Sequence, residues 1–405
     1  MAFGLSSIFN SEIGLNGEGW RLCANLIKLI ILPVALTCGF VEWIAWRIGD
    51  TKPPALIAQM QTDDPTLLWG GAGQFFAPVK IAAAERQKPD IIVVGDSRSG
   101  QLRSAMFKPY SFYNCTMAAW TFEQDQIVLD RILQVYTPKV VIFNLDYFMF
   151  SSAYEDHWNR YAKMDLDYRH VDGLRAFLEG AAGKPLDTLS VLPGVTFGRK
   201  LNADGTWVLG SPAIRDGSST FRHDGSLDYS SLLRNTAGTN VKYLLNVLGQ
   251  VEAGSGTRID PAQMRRLREF AGQAKQHGIT LIGVQLPILQ AALDILDAGQ
   301  DFHQLSQFYG SDMAIWRQFE GQETKALFQS MGVIFDDLAR IPESADPRYF
   351  IDAAHPGEYA VLAAVVQMLK DPRARAALPE VDISALEREL SEPTDNYFDV
   401  YYNRF

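Results

Sequence analysis

Asp90-Ile91-Ile92-Val93-Val94-Gly95-Asp96-Ser97 is the stretch whose reading decides the fold. Four consecutive β-branched apolar residues, closed by a glycine and small polar residues, describe a strand buried on both faces, as in a parallel sheet between helices. The same reading extends outward. SFYNCTM (111–117) is a short strand, FEQDQIVLDRILQVY (122–136) has helical spacing of apolar positions, and KVVIFNLD (139–146) is a second buried strand. Further along, PAQMRRLREFAGQAKQHG (261–278) is an amphipathic helix that stops at Gly278, and ITLIGVQLP (279–287) is a strand. Residues 312–330 read as a long helical stretch, GVIFDDL (332–338) as a fifth strand, and Gly357 to Leu369 as the last core helix. Strands alternating with helices predict an α/β fold whose five strands are mostly parallel.

Between residues 147 and 256 the rhythm is lost, and an insertion of that size predicts a lid or one wall of a cleft. Residues 47–88, which hold the turn-forming DTKPP at 50–54, read as a linker and approach segment. Residues 373–405 form a tail rich in Glu and Tyr, whose end is expected to dock on its own domain.

From Leu22 to Trp46 the chain is strongly apolar, with no charge between Leu29 and Val41. A helix of that length rises about 1.5 Å per residue and crosses a hydrocarbon layer of about 30 Å with some tilt. Lys28 stands near one interface and Glu42, Trp43 and Trp46 near the other, and Pro33 predicts a kink. The expected organisation is therefore a cytoplasmic segment 1–21, an uncleaved anchor 22–46, the linker 47–88, an α/β domain 89–372 and the tail. Basic residues are balanced on the two sides of the anchor, so charge alone does not orient it. With a net charge of −10, the long-range field repels polyanions and argues against nucleic acid. Cys23, Cys38 and Cys115 have neither metal-ligand spacing nor a disulfide framework, so no metal is expected.

Two motifs stand at strand ends. Gly95-Asp96-Ser97 follows the first core strand, where a serine at a strand-to-helix turn lies over the C-terminal edge of a parallel sheet. A helix is expected to start near Ser97, aiming the Ser97 N–H the same way, which suits a nucleophile that also stabilises an oxyanion. Asp352-Ala353-Ala354-His355 precedes the last helix. A carboxylate three residues before an imidazole can orient it as a general base for a distant serine.

Together these motifs resemble the SGNH (GDSL-like) hydrolase superfamily over roughly residues 88–372, interrupted by the insertion. The resemblance implies a flavodoxin-like three-layer sandwich, with Ser97 as nucleophile, His355 as base, Asp352 as its orienting partner and no cofactor. The family's second-block glycine has no clear equivalent in Tyr113-Asn114-Cys115-Thr116-Met117-Ala118, which leaves Thr116 or Ala118 to offer a backbone N–H. The third block is altered to Phe143-Asn144-Leu145-Asp146. Asn114 and Asn144 are the side-chain candidates for oxyanion binding. Arg98 either binds an anionic group on the acceptor or pairs with Asp96 or Asp146. His157, His170 and His223 lie in the insertion and are expected to be ordinary surface or packing histidines. A single anchor on such a domain resembles the family's envelope-polymer enzymes, many of which work beside a membrane-bound O-acyltransferase. The implied activity is a serine O-acyltransferase, of O-acetyl groups above all, acting on an extracytoplasmic or exported polysaccharide. The implied site is the periplasmic face of the inner membrane. The alternatives are a carbohydrate O-acetylesterase and a non-catalytic assembly subunit of the same fold.

Overall fold

The computed structural model describes residues 17–71, 76–151, 154–156, 158, 170–183, 198–202, 204–229, 258–298 and 314–401. His157 and much of the expected insertion, cytoplasmic segment and tail end lie outside these residues. In chain order the described strands are β1 (Leu67–Trp69), β2 (Ile91–Gly95), β3 (Phe112–Thr116), β4 (Val140–Asn144), β5 (Lys200–Leu201), β6 (Trp207–Leu209), β7 (Thr220–Phe221), β8 (Leu227–Asp228), β9 (Thr280–Gln285) and β10 (Val333–Asp337).

The long apolar runs form one sheet in the order β10-β9-β4-β2-β3, and every pairing in it is parallel. Successive residues of a strand face opposite ways, and both faces are covered. Ile92, Val94, Val141 and Phe143 join a core with Ile81 and Ala84 of the helix Phe76–Gln87, Val128 and Leu129 of Phe122–Leu133, and Leu267 and Phe270 of Pro261–Gln276. Ile91, Val93, Val140 and Ile142 face a second core with the helix Glu358–Met368. Crossing from β2 outward to β3 and then back to β4 opens a crevice at the carboxyl ends of β2 and β4. The stretch 312–330 is not one helix where it is described: Ala314–Phe319 and Gln322–Ser330 are separated at Gly321, a residue that costs a helix interior about 1 kcal/mol.

A second sheet was not visible in the sequence. Its order is β5-β6-β1-β7-β8, with β1 parallel to β6 and the other pairings antiparallel. β1 comes from the expected linker and the other strands from the insertion. The described residues of 47–88 are thus folded structure, with the helices Pro54–Asp63 and Phe76–Gln87 before and after β1 in the chain. Lys80, fully buried in the second of these helices, donates to the carbonyls of Asn114 (3.3 Å) and Gly225 and lies 3.8 Å from the centre of the Phe221 ring. It ties the small sheet to the large one. Gly225 is obligatory at this junction, because it has a φ of +79° and a side chain there would meet the Asn114 carbonyl oxygen at 2.1 Å.

One described helix, Trp20–Ile48, is long and apolar enough to cross a membrane. Near Pro33 its ladder widens into a π turn, Ile27–Ile31, where proline supplies no N–H. Its last turn leaves the apolar surface and enters the domain. Ala45 and Ile48 are buried against Leu68, Val208, Ala213 and Ile214 of the small sheet and its neighbouring helix. The Ile48 carbonyl accepts from Gly210 N–H (2.7 Å), and Asp50 caps Ser211 N–H (3.0 Å).

The tail docks. Arg103 is buried among Asp224 of the insertion (3.3 Å), Glu358 of the last core helix (3.1 Å) and Asp399 of the tail (3.5 Å), and Arg222 reaches Asp228 (3.0 Å) and Asp399 (3.5 Å). Burial pushes the Glu358 carboxyl up to about 7 despite both guanidinium groups, whereas at Asp224 burial is outweighed by the Arg103 and His223 charges together with the hydrogen bonds from Ser226 and Ser104, and its value is lowered. Removing one partner from such a cluster strands buried charge, at a cost of about 3–5 kcal/mol. Arg103→Ala is therefore expected to lower the midpoint of thermal unfolding by about 5 °C, measured by circular dichroism, and to expose the tail to protease first.

Candidate active site

Gly95, Asp96 and Ser97 leave β2 at the crevice. Gly95 has a φ of +149°, and a side chain there would meet Asn144 at 3.0 Å, so only glycine lets β2 turn beside β4. An α-helix does not follow. Residues Ser97–Gln101 form a 3₁₀ turn, because Asp96 Oδ1 accepts Arg98 N–H (2.9 Å) and Asn114 Nδ2 binds the carbonyls of Ser99 (2.8 Å) and Leu102 (2.9 Å). Thr116 and Ser99 hydroxyls donate to the Asp96 carbonyl at 2.6 and 2.9 Å. Ser97 is thus held on a short braced turn, with no long helix dipole behind it.

The second motif reaches the same crevice. Residues 349–357 fold back as a bridged loop, with Phe350 opposite Pro356 and Ile351 N–H bound to the His355 carbonyl (2.9 Å). At its tip, Asp352 accepts from the N–H groups of Ala354 and His355 (2.9 Å each) and bonds His355 Nδ1 through both oxygens at 2.9 and 2.8 Å. His355 Nε2 lies 2.7 Å from Ser97 Oγ across 258 positions of sequence. Ser97 and His355 are only partly buried, so both reach solvent. Ser97, His355 and Asp352 therefore stand in a serine–imidazole–carboxylate relay.

Arg98 holds the two pieces together. Only 2 % exposed, it donates through Nε to the Ala354 carbonyl (2.9 Å), through one terminal nitrogen to Asp146, and through the other to the carbonyls of Leu286 (2.6 Å) and Pro287 (3.3 Å). Its fork is filled by the protein. An acceptor-binding role for Arg98 is thus replaced by a positioning one.

Three oxyanion candidates are likewise engaged elsewhere. Asn114 braces the turn, Thr116 N–H donates to Asn114 Oδ1 (2.8 Å), and Asn144 Nδ2 donates to Asp96 Oδ1 (2.5 Å). The Ala118 N–H is used by the Cys115 carbonyl (3.0 Å). Between them stands Met117, a non-glycine residue with a φ of +60°, one step beyond the point where Thr116 pairs with Gly95. Among the described residues no side chain accepts from the Ser97 or Met117 N–H. Its left-handed backbone is invisible in sequence, and its place just after the strand was the available clue. His223 lies in the turn between β7 and β8, where its carbonyl accepts from Gln87 (3.3 Å), and His170 opens the helix His170–Gly183.

Burial disfavours a charged His355, but the Asp352 charge and hydrogen bond, aided by Asp96, outweigh it and hold the imidazole above its ordinary value. Asp352 is itself lowered, because His355 and the two loop N–H groups outweigh burial. Beneath the pair, burial raises both Asp96 and Asp146, the latter to about 7, even though both share Arg98. No metal-binding group of His, Cys, Asp and Glu occurs among the described residues. A scan against family models gives no match, and searches of curated proteins and of solved structures give none either.

A base must be neutral to accept a proton, so any activity of this relay rises with pH through the raised His355 value. In Asp352→Asn the burial of the imidazole is no longer outweighed. The limb of the pH–rate profile is expected to move to lower pH, while turnover drops by roughly 10³–10⁴ through loss of the correct tautomer.

Proposed function

We propose that this protein is a membrane-anchored serine O-acyltransferase of the SGNH (GDSL-like) type, transferring acyl groups, acetyl first among them, to an extracytoplasmic or exported polysaccharide. The observation that carries the reading is the 2.7 Å contact between Ser97 Oγ and His355 Nε2, with Asp352 behind it, at the carboxyl edge of a parallel sheet. Numbered by core strands alone, the sheet order is 2-1-3-4-5, the flavodoxin-like order, and Ser97 follows the strand at its switch point.

In this reading Ser97 Oγ attacks the acyl carbonyl carbon while its proton passes to His355 Nε2. The charge that develops on the carbonyl oxygen is met by the N–H groups of Ser97 and Met117. Collapse expels the donor's alcohol or thiol, which takes the proton from His355, and leaves an acyl group on Ser97. A sugar hydroxyl then gives its proton to His355 and attacks the ester, and Ser97 Oγ leaves with the proton that His355 passes to it. The donor is expected from a membrane-bound O-acyltransferase beside the anchor, with the catalytic domain in the periplasm and the helix in the inner membrane. Water in place of the sugar gives an esterase, and the partial exposure of Ser97 and His355 favours that as the second reading.

Treatment of the full-length protein with a serine-directed phosphonate is expected to add one label at Ser97, seen by mass spectrometry, and none in Ser97→Ala. His355→Ala is expected to slow labelling by about 10³-fold or more. An unlabelled wild-type protein, together with full function of both variants in cells, would remove the enzymatic reading. Appearance of acetyl on an added glycan, against release of free acetate, separates transfer from hydrolysis.

A further inference from the structure

The bridged loop that carries Asp352 and His355 at its tip carries Tyr349 at its base, where the Tyr349 carbonyl accepts from Gly357 N–H (2.6 Å). Tyr349 is three residues from Asp352, so their Cα atoms lie within about 11 Å at an extended reach of about 3.6 Å per residue. Tyr359, on the first turn of the following helix, bonds the Tyr397 carbonyl through its N–H (3.0 Å). The three rings form one cluster, with centroids 4.8 Å apart for Tyr349–Tyr359 and Tyr349–Tyr397 and 5.8 Å for Tyr359–Tyr397. They line an open cavity of about 420 Å³, which falls within the range of about 300–1,000 Å³ that holds small organic ligands.

The rest of the lining comes from the tail and includes Ser391, Glu392 and Asp395, of which all three are exposed. Among the described residues no lysine or arginine lines the cavity. The nearby Arg348 is occupied by Asp346, bonding it through Nε at 3.0 Å, and lies over the outer ring, Tyr397, at 5.6 Å. The Tyr359 hydroxyl donates to the Leu390 carbonyl (3.1 Å), which fixes one ring to the tail wall.

Aromatic rings beside acceptor-only carboxylates match one ligand chemistry well. A pyranose lays its C–H face on an aromatic ring and directs hydroxyl donors at carboxylate oxygens. The same carboxylates repel a sugar acid and attract an amino sugar. We propose that this cavity is a glycan subsite for uncharged or amino-bearing pyranose residues, binding the polymer a short distance from the residue that is acylated. The proposal deepens the acyl-transfer reading, from which it takes only that the substrate is a polysaccharide.

The test is calorimetric titration of the full-length protein in detergent with three probes: a β-1,4-glucose hexamer, a β-1,4-glucosamine hexamer and a galacturonate hexamer. The first two are expected to bind and the third not. Tyr397→Ala is expected to weaken binding by about tenfold, and Tyr397→Phe, which keeps the ring, to restore it. Should Tyr397→Ala unfold more readily than the parent, Asp395→Asn on the exposed wall takes its place and is expected to weaken the glucosamine hexamer more than the glucose one. Absence of binding to both sugars, binding of the galacturonate alone, or unchanged affinity in a well-folded Tyr397→Ala together with Asp395→Asn would overturn the subsite. Ser97→Ala keeps the cavity and is expected to bind as the parent does. Sugar binding without acyl transfer therefore sinks the catalytic reading alone, and acyl transfer indifferent to Tyr397 and Asp395 sinks the subsite alone.

Discussion

The buried guanidinium of Arg98 is the interaction on which the site depends. One planar group joins the turn after β2, the carboxylate after β4, the chain leaving β9 and the loop that carries His355. A serine and a histidine brought from positions 258 residues apart need such a common reference, because a hydrogen bond of 2.7 Å tolerates little drift between their elements. A lysine has the charge but not the fork, so it has no means of meeting three carbonyls and a carboxylate at fixed angles. The cost of the arrangement appears in Asp96 and Asp146, two buried carboxylates that share one cation and are both raised.

Around this hub the molecule is braced by buried charge rather than by apolar packing alone. Arg103 and Arg222 draw Asp224, Glu358 and Asp399 together, and thereby fasten insertion, last core helix and tail to one another. Phe398 packs so closely on Gly357 that a side chain at that glycine would meet its ring at 2.6 Å. The tail therefore backs the loop that holds the imidazole, and the aromatic cavity and the relay are two ends of one supported strip of chain.

Much of this was legible in the sequence, and the illegible parts share a physical cause. Residues 91–94, 140–143 and 281–284 announce themselves because burial on both faces demands unbroken apolar runs. Ser97 and Asp352-x-x-His355 stand out because strand ends in a parallel sheet share an edge. The small sheet gave no such signal: β5, β7 and β8 are two residues long, too short for any alternation to show, and β1 was hidden in what read as a linker. Arg98 was ambiguous because sequence does not say whether a guanidinium faces a ligand or its own chain. Asn114, Thr116 and Asn144 have the right chemistry for an oxyanion, yet their donors complete backbone and carboxylate bonds inside the site.

The helix Trp20–Ile48 ends inside the small sheet, its final carbonyl bonded to Gly210 and its last side chains covered. A flexible tether would let the α/β body sweep through a wide volume. Here the apolar helix and the body that carries Ser97 and His355 move as one piece, like a blade fixed in its handle, so the direction of one sets the direction of the other.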